Sequence, residues 1–146
     1  MQLAIKDTGG PGTPLVLLHG VTRNGDDWRP ILPLLAQSHR VITVDQRGHG
    51  GSPRAESYLV ADYCRDAVVL VRDRIAGPVV LVGHSLGAMV AAAVAAESPD
   101  LVRAAVLEDP PFQGMGDRIG GTVWQAQFIG MRNAAREGGG DRKSVV

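Results

Sequence analysis

The sequence has few of the features that mark secreted or membrane-bound proteins. It contains a single cysteine, Cys64, so no disulfide can form within the chain and nothing indicates an oxidising compartment. No apolar run approaches the roughly 18 residues of a membrane span, and the first residues, 1–7, lack a signal-peptide pattern. We therefore expect a cytoplasmic protein with no membrane partner, and a half-buried helical Cys64 rather than a reactive thiol.

An excess of charge of either sign is also missing. Lys and Arg together number 15, as do Asp and Glu, so no net field favours nucleic acid or an anionic surface. No cluster of His, Cys and Asp has the spacing of metal ligands, so we expect neither a metal nor another cofactor. With 45% hydrophobic residues and 21% charged residues, the 146-residue chain has the composition of one ordinary soluble domain.

Short, continuous apolar runs are what the sequence does have. Such runs are typical of strands that a parallel sheet buries on both faces, and they occupy residues 15–18, 41–44, 79–82 and 104–107. A further short strand is expected within residues 2–6. Helical patterns separate the runs, as parallel strands require. The sequence therefore predicts an α/β fold, a mostly parallel sheet with flanking helices.

Three helices are expected as crossovers. The first has an apolar face formed by Trp28, Ile31, Leu32, Leu34 and Leu35, although Pro30 and Pro33 impose a late or irregular start. The second has apolar residues at helical spacing from Leu59 to Ile75 and stops at Gly77-Pro78. The third covers residues 86–97, and a fourth, amphipathic helix is possible over residues 123–136.

Gly83-His84-Ser85-Leu86-Gly87 directly follows a buried run and opens a helix, which is the context of a nucleophile elbow. The turn is too tight for side chains at its flanking positions, and it lifts the Ser85 hydroxyl to a helix N-terminus. The alternative is that Ser85 is only an N-cap. His19-Gly20 ends the first buried run, so the Val21 and Leu86 amides are expected to form an oxyanion hole, while His19 hydrogen-bonds the loop.

These motifs, together with Asp45-Gln46-Arg47-Gly48-His49-Gly50-Gly51-Ser52 and Leu107-Glu108-Asp109-Pro110, resemble those of the α/β-hydrolase fold superfamily over roughly residues 1–112. The resemblance implies a serine hydrolase that acts on a small-molecule acyl substrate, a carboxylic ester or a related acyl or C–C bond, with Ser85 as nucleophile. It implies a structural role for Asp45 and Arg47. Serine at position 85 argues against the aspartate-using dehalogenase and epoxide-hydrolase branches of the fold.

The catalytic base has no evident candidate. Members of the family use a histidine late in the chain, whereas the four histidines here are His19, His39, His49 and His84. We expect each of them to be structural. Asp109, after the fourth apolar run, is a candidate for the catalytic acid, against the alternative of a turn or capping residue before Pro110.

The predicted organisation is that of a truncated α/β-hydrolase. Residues 1–112 would form the N-terminal part of the core, residues 113–137 the start of a cap, and residues 138–146 a flexible tail, either native or artefactual. The chain alone is then expected to be inactive and to self-associate through an exposed sheet edge. The alternatives are a non-catalytic fragment, a half that a second chain complements, or a hydrolase-fold ligand sensor.

Overall fold

The computed structural model describes residues 1–111, and these residues form one sheet flanked by helices. Its five strands have the spatial order β1-β3-β2-β4-β5. Their bounds are Ala4–Asp7 (β1), Leu15–Leu18 (β2), Val41–Asp45 (β3), Val79–His84 (β4) and Val102–Glu108 (β5). Strand β1 is antiparallel to β3, and every other pairing is parallel. The predicted α/β class and the predicted strands are therefore confirmed.

The continuous apolar runs are explained by cores on both faces of the sheet. Along β2, Val16 and Leu18 belong to one core, whereas Leu15 and Leu17 belong to the other. The first core also contains buried apolar residues of the second and third helices, among them Tyr63 and Val90, and the second contains Trp28. Because successive strand side chains point to opposite faces, both sets must be apolar.

The first crossover, between β2 and β3, contains less helix than the sequence predicts. A 3₁₀ turn covers Gly25–Trp28, and helix α1 is confined to Leu32–Leu35. Pro33 lies in the first turn of α1, in agreement with the predicted irregular start. The predicted apolar face was wrong in part, because Ile31 and Leu34 are exposed. A helix of one turn cannot present all five residues to the sheet.

The other two crossovers follow the prediction closely. Helix α2 covers Val60–Leu70, continues as a π-helical turn over Val71–Ile75 and ends at Ala76, whose φ of 57° is left-handed. Leu59 was expected on its buried face but is an exposed cap residue. Helix α3 covers Leu86–Glu97 and packs against α2 on the same face of the sheet.

Some sequence predictions fall outside the described residues. These are the start of a cap at 113–137, the helix at 123–136 and the tail at 138–146. In the part of the chain that the structure describes, no helix combines the length and hydrophobicity needed to cross a membrane.

Strand β5 is the outer strand of the described sheet, beyond β4. Its side chains are exposed from Arg103 to Glu108, and these include the apolar Val106 and Leu107. An unprotected apolar edge strand is a template for pairing with another chain. This surface is where the predicted self-association would occur.

We expect Val106→Lys to reduce self-association of the 146-residue chain, because a charged side chain on an edge strand opposes pairing of a second strand. The measurement is the sedimentation coefficient over a concentration series. Val69→Lys is the matched control, since Val69 is also an exposed valine, 42% exposed against 52% for Val106, but lies on α2. A monomeric wild-type chain, or equal effects of both substitutions, would contradict the prediction.

Candidate active site

Ser85 occupies a strained backbone conformation between β4 and α3. Its φ and ψ are 50° and −112°, outside the regions that non-glycine residues normally adopt. Such a conformation costs about 1–3 kcal/mol and persists only where the surrounding structure imposes it. Here the Ser85 N–H donates to the Glu108 carbonyl at 2.9 Å, and the Ser85 carbonyl accepts from Ala88 N–H at 3.0 Å. Strand pairing on one side and the new helix on the other hold the turn.

The two glycines of the elbow are required by close backbone approach. A β-carbon on Gly83 would overlap the Gly87 carbonyl, and one on Gly87 would overlap the Leu18 carbonyl at the end of β2. Both overlaps are with backbone atoms, which cannot rotate away as a flexible side chain can. The helix therefore starts in direct contact with two adjacent strands, and any side chain at position 83 or 87 would push it away.

The Ser85 side chain is not used to cap α3. Ser85 is the N-cap residue, yet its side chain makes no capping hydrogen bond within the described helix. The alternative interpretation of Ser85 as a plain N-cap therefore lacks its defining contact. The hydroxyl stays available at a helix N-terminus, where unpaired N–H groups and the helix dipole favour negative charge.

The loop after β2 lies beside the elbow. A β-carbon on Gly20 would stand 3.3 Å from Ser85 Cβ and 2.9 Å from His84 Nδ1, so the backbone of residue 20 passes directly next to the serine. Val21 follows in an exposed turn, and Leu86 is the first residue of α3, whose N–H has no acceptor within the helix. Of the two predicted oxyanion donors, Val21 therefore follows a residue whose backbone passes beside Ser85, and Leu86 follows Ser85 directly.

Unusual backbone conformations concentrate at this edge of the sheet. Of the four non-glycine residues with positive φ among residues 1–111, Thr22, Ser85 and Asp109 follow the ends of β2, β4 and β5. The fourth, Ala76, ends a helix. Strained residues cluster at functional sites more than elsewhere.

His19 joins the β2 loop to the β3 loop. Its Nδ1 lies 2.7 Å from the Gly20 carbonyl, and its Nε2 accepts from the Gln46 N–H at 3.1 Å. With both ring nitrogens bonded and the ring buried, His19 is a structural residue, as predicted. Desolvation by burial is the main cause that lowers its pKa from 6.5 to about 4.

Asp45, at the end of β3, fixes two loops at once. One carboxylate oxygen accepts from the Gly25 N–H at 2.7 Å and the other from the Gly51 N–H at 2.8 Å. Ser52 Oγ also donates to the Asp45 carbonyl, and accepts from Ala4 N–H at 2.8 Å. These bonds give Asp45 the structural role that the resemblance implied.

Arg47 connects the loop after β3 to α2. Its Nε donates to Asp66 at 2.7 Å, its Nη1 lies 3.7 Å from Asp62, and its guanidinium lies 5.8 Å from the centre of the Tyr63 ring. All of these groups are buried, and the ion pair with Asp66 raises the pKa of Arg47 further. Arg47 therefore holds the loop in place.

The remaining histidines lie in three different places, and their structural role stays a prediction. His49 is buried with Nδ1 2.8 Å from the Arg47 carbonyl. His39 precedes β3 and so lies at the opposite end of the strands from Ser85. His84 is the residue before the serine. Within residues 1–111, no three His, Cys, Asp or Glu side chains are grouped so that they could bind a metal ion.

A cleft of about 180 Å³ opens at the strand ends beside the elbow. It is lined by His19, Asp27, Trp28, His84 and Glu108. Asp27 and Glu108 were not among the predicted site residues, and Trp28 was predicted only as a core residue. Glu108 pairs with His84 in the register of β4 and β5. That register, which the sequence does not reveal, brings Glu108 to the cleft.

Asp109 lies just beyond β5, and Cys64 lies in α2. Asp109 follows β5, exposed and with a left-handed φ of 47°, one residue beyond the carbonyl that binds the Ser85 amide. Its assignment as the acid stays a prediction. Cys64 was predicted to be half-buried but is fully buried, and burial with the nearby Glu97 raises the pKa of its thiol to about 11. A thiol of this kind is not nucleophilic at neutral pH.

The pKa of His19 predicts a pH dependence of stability. Between pH 6.5 and about 4 the unfolded chain gains a proton at His19 that the folded chain does not. Stability is therefore highest above pH 6.5 and falls as the pH drops towards 4, by about 3 kcal/mol from this residue. We expect His19→Gln to flatten the dependence of the free energy of unfolding on pH in this window. A His19→Gln variant that keeps the wild-type slope would contradict the assignment.

Comparison with known proteins places the chain in a family. A model of the alpha/beta hydrolase fold matches residues 13–134. A 2-(acetamidomethylene)succinate hydrolase of Mesorhizobium japonicum is 42% identical over 101 residues, 68% of this chain and 36% of that protein. Epoxide hydrolase A of Mycobacterium tuberculosis is 39% identical over 137 residues, 82% of this chain and 42% of that protein. The chain thus spans 36% to 42% of the length of these curated relatives.

Solved structures agree with this comparison. A marine microorganism esterase has a TM-score of 0.76 at 25% identity, over 91% of this chain and 51% of that one. The crystal structure of E-2-(acetamidomethylene)succinate hydrolase has a TM-score of 0.68 at 39% identity, over 70% of this chain and 38% of that one. The family match, the curated relatives and the shared architecture lead to one conclusion: the chain belongs to the alpha/beta hydrolase fold family.

Proposed function

We propose that this chain carries the nucleophile of a serine hydrolase that acts on carboxylic esters or on related acyl or C–C bonds. The observation that carries the proposal is Ser85, held at φ 50° at a helix N-terminus with its side chain free of a capping bond. A strained strand-to-helix turn that exposes a hydroxyl is the geometry of a nucleophile elbow. Relatives named esterase, lipase and hydrolase support the same reaction class.

In the proposed reaction, Ser85 Oγ attacks the substrate carbonyl carbon while a base removes its proton. The carbonyl oxygen becomes an oxyanion, which accepts hydrogen bonds from the Val21 and Leu86 N–H groups. Collapse of the tetrahedral intermediate expels the leaving group, which takes up the proton, and water then releases the acyl group from Ser85. The close approach of the residue 20 backbone to Ser85 supports this choice of donors.

The base is proposed to come from a polypeptide region outside these 146 residues. His19 and His49 bond to backbone groups, and His39 lies at the far end of the strands. His84 is adjacent to Ser85 and cannot fold back onto its hydroxyl. Asp109 is retained as the candidate acid that would orient such a histidine. The chain alone is then inactive, and a half complemented by another polypeptide is the second candidate function.

One relative complicates the assignment of substrate. A protein named epoxide hydrolase is 39% identical to this chain, although the sequence analysis set that chemistry aside because residue 85 is serine. An ester or acyl substrate remains the proposal, since a serine nucleophile forms an acyl intermediate that water can cleave. The cytoplasm remains the predicted location.

The proposed function is tested by supplying the missing part. In a chimera, residues 1–111 replace the matching segment of the Mesorhizobium japonicum hydrolase, and hydrolysis of 4-nitrophenyl butyrate is followed. We expect turnover that Ser85→Ala reduces by a factor of about 10⁴ or more, because the nucleophile is lost. The unmodified 146-residue chain should show no turnover above its own Ser85→Ala variant.

Ser38→Ala is the control, since Ser38 is exposed and precedes β3 at the opposite end of the strands. It should leave the turnover of the chimera unchanged. Circular dichroism establishes that each protein is folded. A folded chimera that is inactive, or that keeps most of its turnover after Ser85→Ala, would refute Ser85 as the nucleophile.

A further inference from the structure

Gly20 lies beside the elbow at a point where a side chain would not fit. A β-carbon there would stand 2.9 Å from His84 Nδ1 and 3.3 Å from Ser85 Cβ, so it would displace one of these residues. Glycine allows the close approach, but it also has more backbone freedom than any other residue. Because the Gly20–Val21 peptide carries a proposed oxyanion donor, this freedom must be restricted if the Val21 N–H is to keep one direction.

The peptide before Gly20 is held by Gln46, a residue of the loop after β3. Gln46 is buried, with 2% of its surface exposed, and its side-chain Nε2 donates to the His19 carbonyl at 2.7 Å. The Gln46 backbone N–H also donates, to His19 Nε2 at 3.1 Å. One residue therefore fixes both the main chain and the ring of His19, from 27 positions further along the sequence.

The peptide after Gly20 is held by the His19 ring and by a turn. Burial lowers the pKa of His19 to about 4, so the ring is neutral at neutral pH. Its Nε2 accepts from an N–H, so the single proton is on Nδ1, which donates to the Gly20 carbonyl at 2.7 Å. The same carbonyl accepts from the Arg23 N–H at 3.3 Å. Since C=O and N–H point in opposite directions across a trans peptide, these two donors direct the Val21 N–H away from themselves.

The Val21 N–H is not itself used by these bonds. Among residues 1–111 it has no hydrogen-bond acceptor, so it can donate to an incoming oxygen. The neighbours of Gln46 do not share its role: Asp45 bonds to the Gly25 and Gly51 amides, and the Arg47 side chain bonds to Asp66 and to the Ser57 carbonyl. Of these three consecutive side chains, only that of Gln46 hydrogen-bonds to the segment that leads into Val21.

We propose that Gln46 is a positioning residue for the oxyanion hole. Its side chain fixes the peptide before Gly20, and the His19 ring, which accepts from the Gln46 N–H, fixes the peptide after it. Together these bonds restrict φ and ψ of Gly20 and therefore the direction of the Val21 N–H. The inference rests on the proposed function, because it takes Val21 as an oxyanion donor. Loss of the Gln46 side-chain donor should then weaken binding of the transition state more than binding of the substrate.

The first measurement needs no catalysis and uses the 146-residue chain with Val106→Lys, which is expected to limit self-association. Gln46→Met keeps a side chain of similar length but removes its donor. We expect NMR order parameters of the Gly20 and Val21 N–H groups of about 0.85 with Gln46 and below about 0.6 in Gln46→Met. In the chain with Gln46, ¹H–¹⁵N correlations across the His19 ring should place its proton on Nδ1.

Ser52→Ala is the matched control. It also removes buried hydrogen bonds of the loop after β3, to the Ala4 N–H and the Asp45 carbonyl, but none to residues 19–21. The order parameters of Gly20 and Val21 should therefore not change. Low order parameters in the chain with Gln46, or a His19 proton on Nε2, would overturn the proposal even if Gln46→Met did not fold.

The second measurement uses the chimera described above. Gln46→Met should lower kcat for 4-nitrophenyl butyrate about tenfold, less than the factor of about 10²–10³ for complete loss of a donor, and change KM by less than about twofold. Ser52→Ala should leave both constants unchanged. An unchanged kcat in a folded Gln46→Met chimera, or order parameters that Gln46→Met does not lower, would overturn the proposal. A folded chimera without Ser85-dependent turnover would instead refute the proposed function, and the order parameters would still decide whether Gln46 fixes the loop.

Discussion

The close approach of three backbone segments at the end of the sheet is the constraint on which the candidate site depends. Gly87 in the first turn of α3 contacts the Leu18 carbonyl of β2, and Gly83 of β4 contacts Gly87. The helix can then start directly above two neighbouring strands. Ser85, between the two glycines, is left with a conformation that a free chain would avoid. Its strain is maintained by the packing of α3 and by strand pairing on either side.

Hydrogen bonds of three polar side chains also hold the loops around the elbow. His19, Asp45 and Arg47 each bond to loop or helix groups, and together they connect the loops after β2 and β3 to each other and to α2. These side chains are buried or half-buried and hydrogen-bonded, as buried polar groups must be. The result is a rigid rim around the elbow, which is what positioning a nucleophile and its hydrogen-bond donors requires.

Much of this architecture could be predicted because it follows from local patterns. Continuous apolar runs identified the buried strands, and the elbow motif combined a strand, a tight turn and a helix in adjacent residues. Gly77-Pro78 correctly marked the end of the second helical segment, which turns left-handed at Ala76. His19 was predicted to bond its loop, because a polar residue at the end of a buried strand needs a partner.

Other features depend on tertiary arrangement and were missed. Ile31 and Leu34 have helical spacing, but Pro33 confines α1 to one turn, which leaves both exposed. Glu108 lies beside the cleft because of the register between β4 and β5, and Trp28 lies there because of the path of the loop after β2. Neither register nor loop path is encoded in a short window of sequence.

We propose that the elbow and the loop after β2 act as one unit, in which the Val21 amide stabilises the oxyanion that forms when Ser85 attacks the substrate carbonyl. This central claim is tested most directly in the chimera by comparing Val21→Pro, which removes the N–H, with Val21→Ala, which keeps it. The account predicts that kcat for 4-nitrophenyl butyrate falls by a factor of about 10²–10³ in Val21→Pro and stays near the unsubstituted value in Val21→Ala. Equal kcat values for the two variants, with both proteins folded, would contradict it.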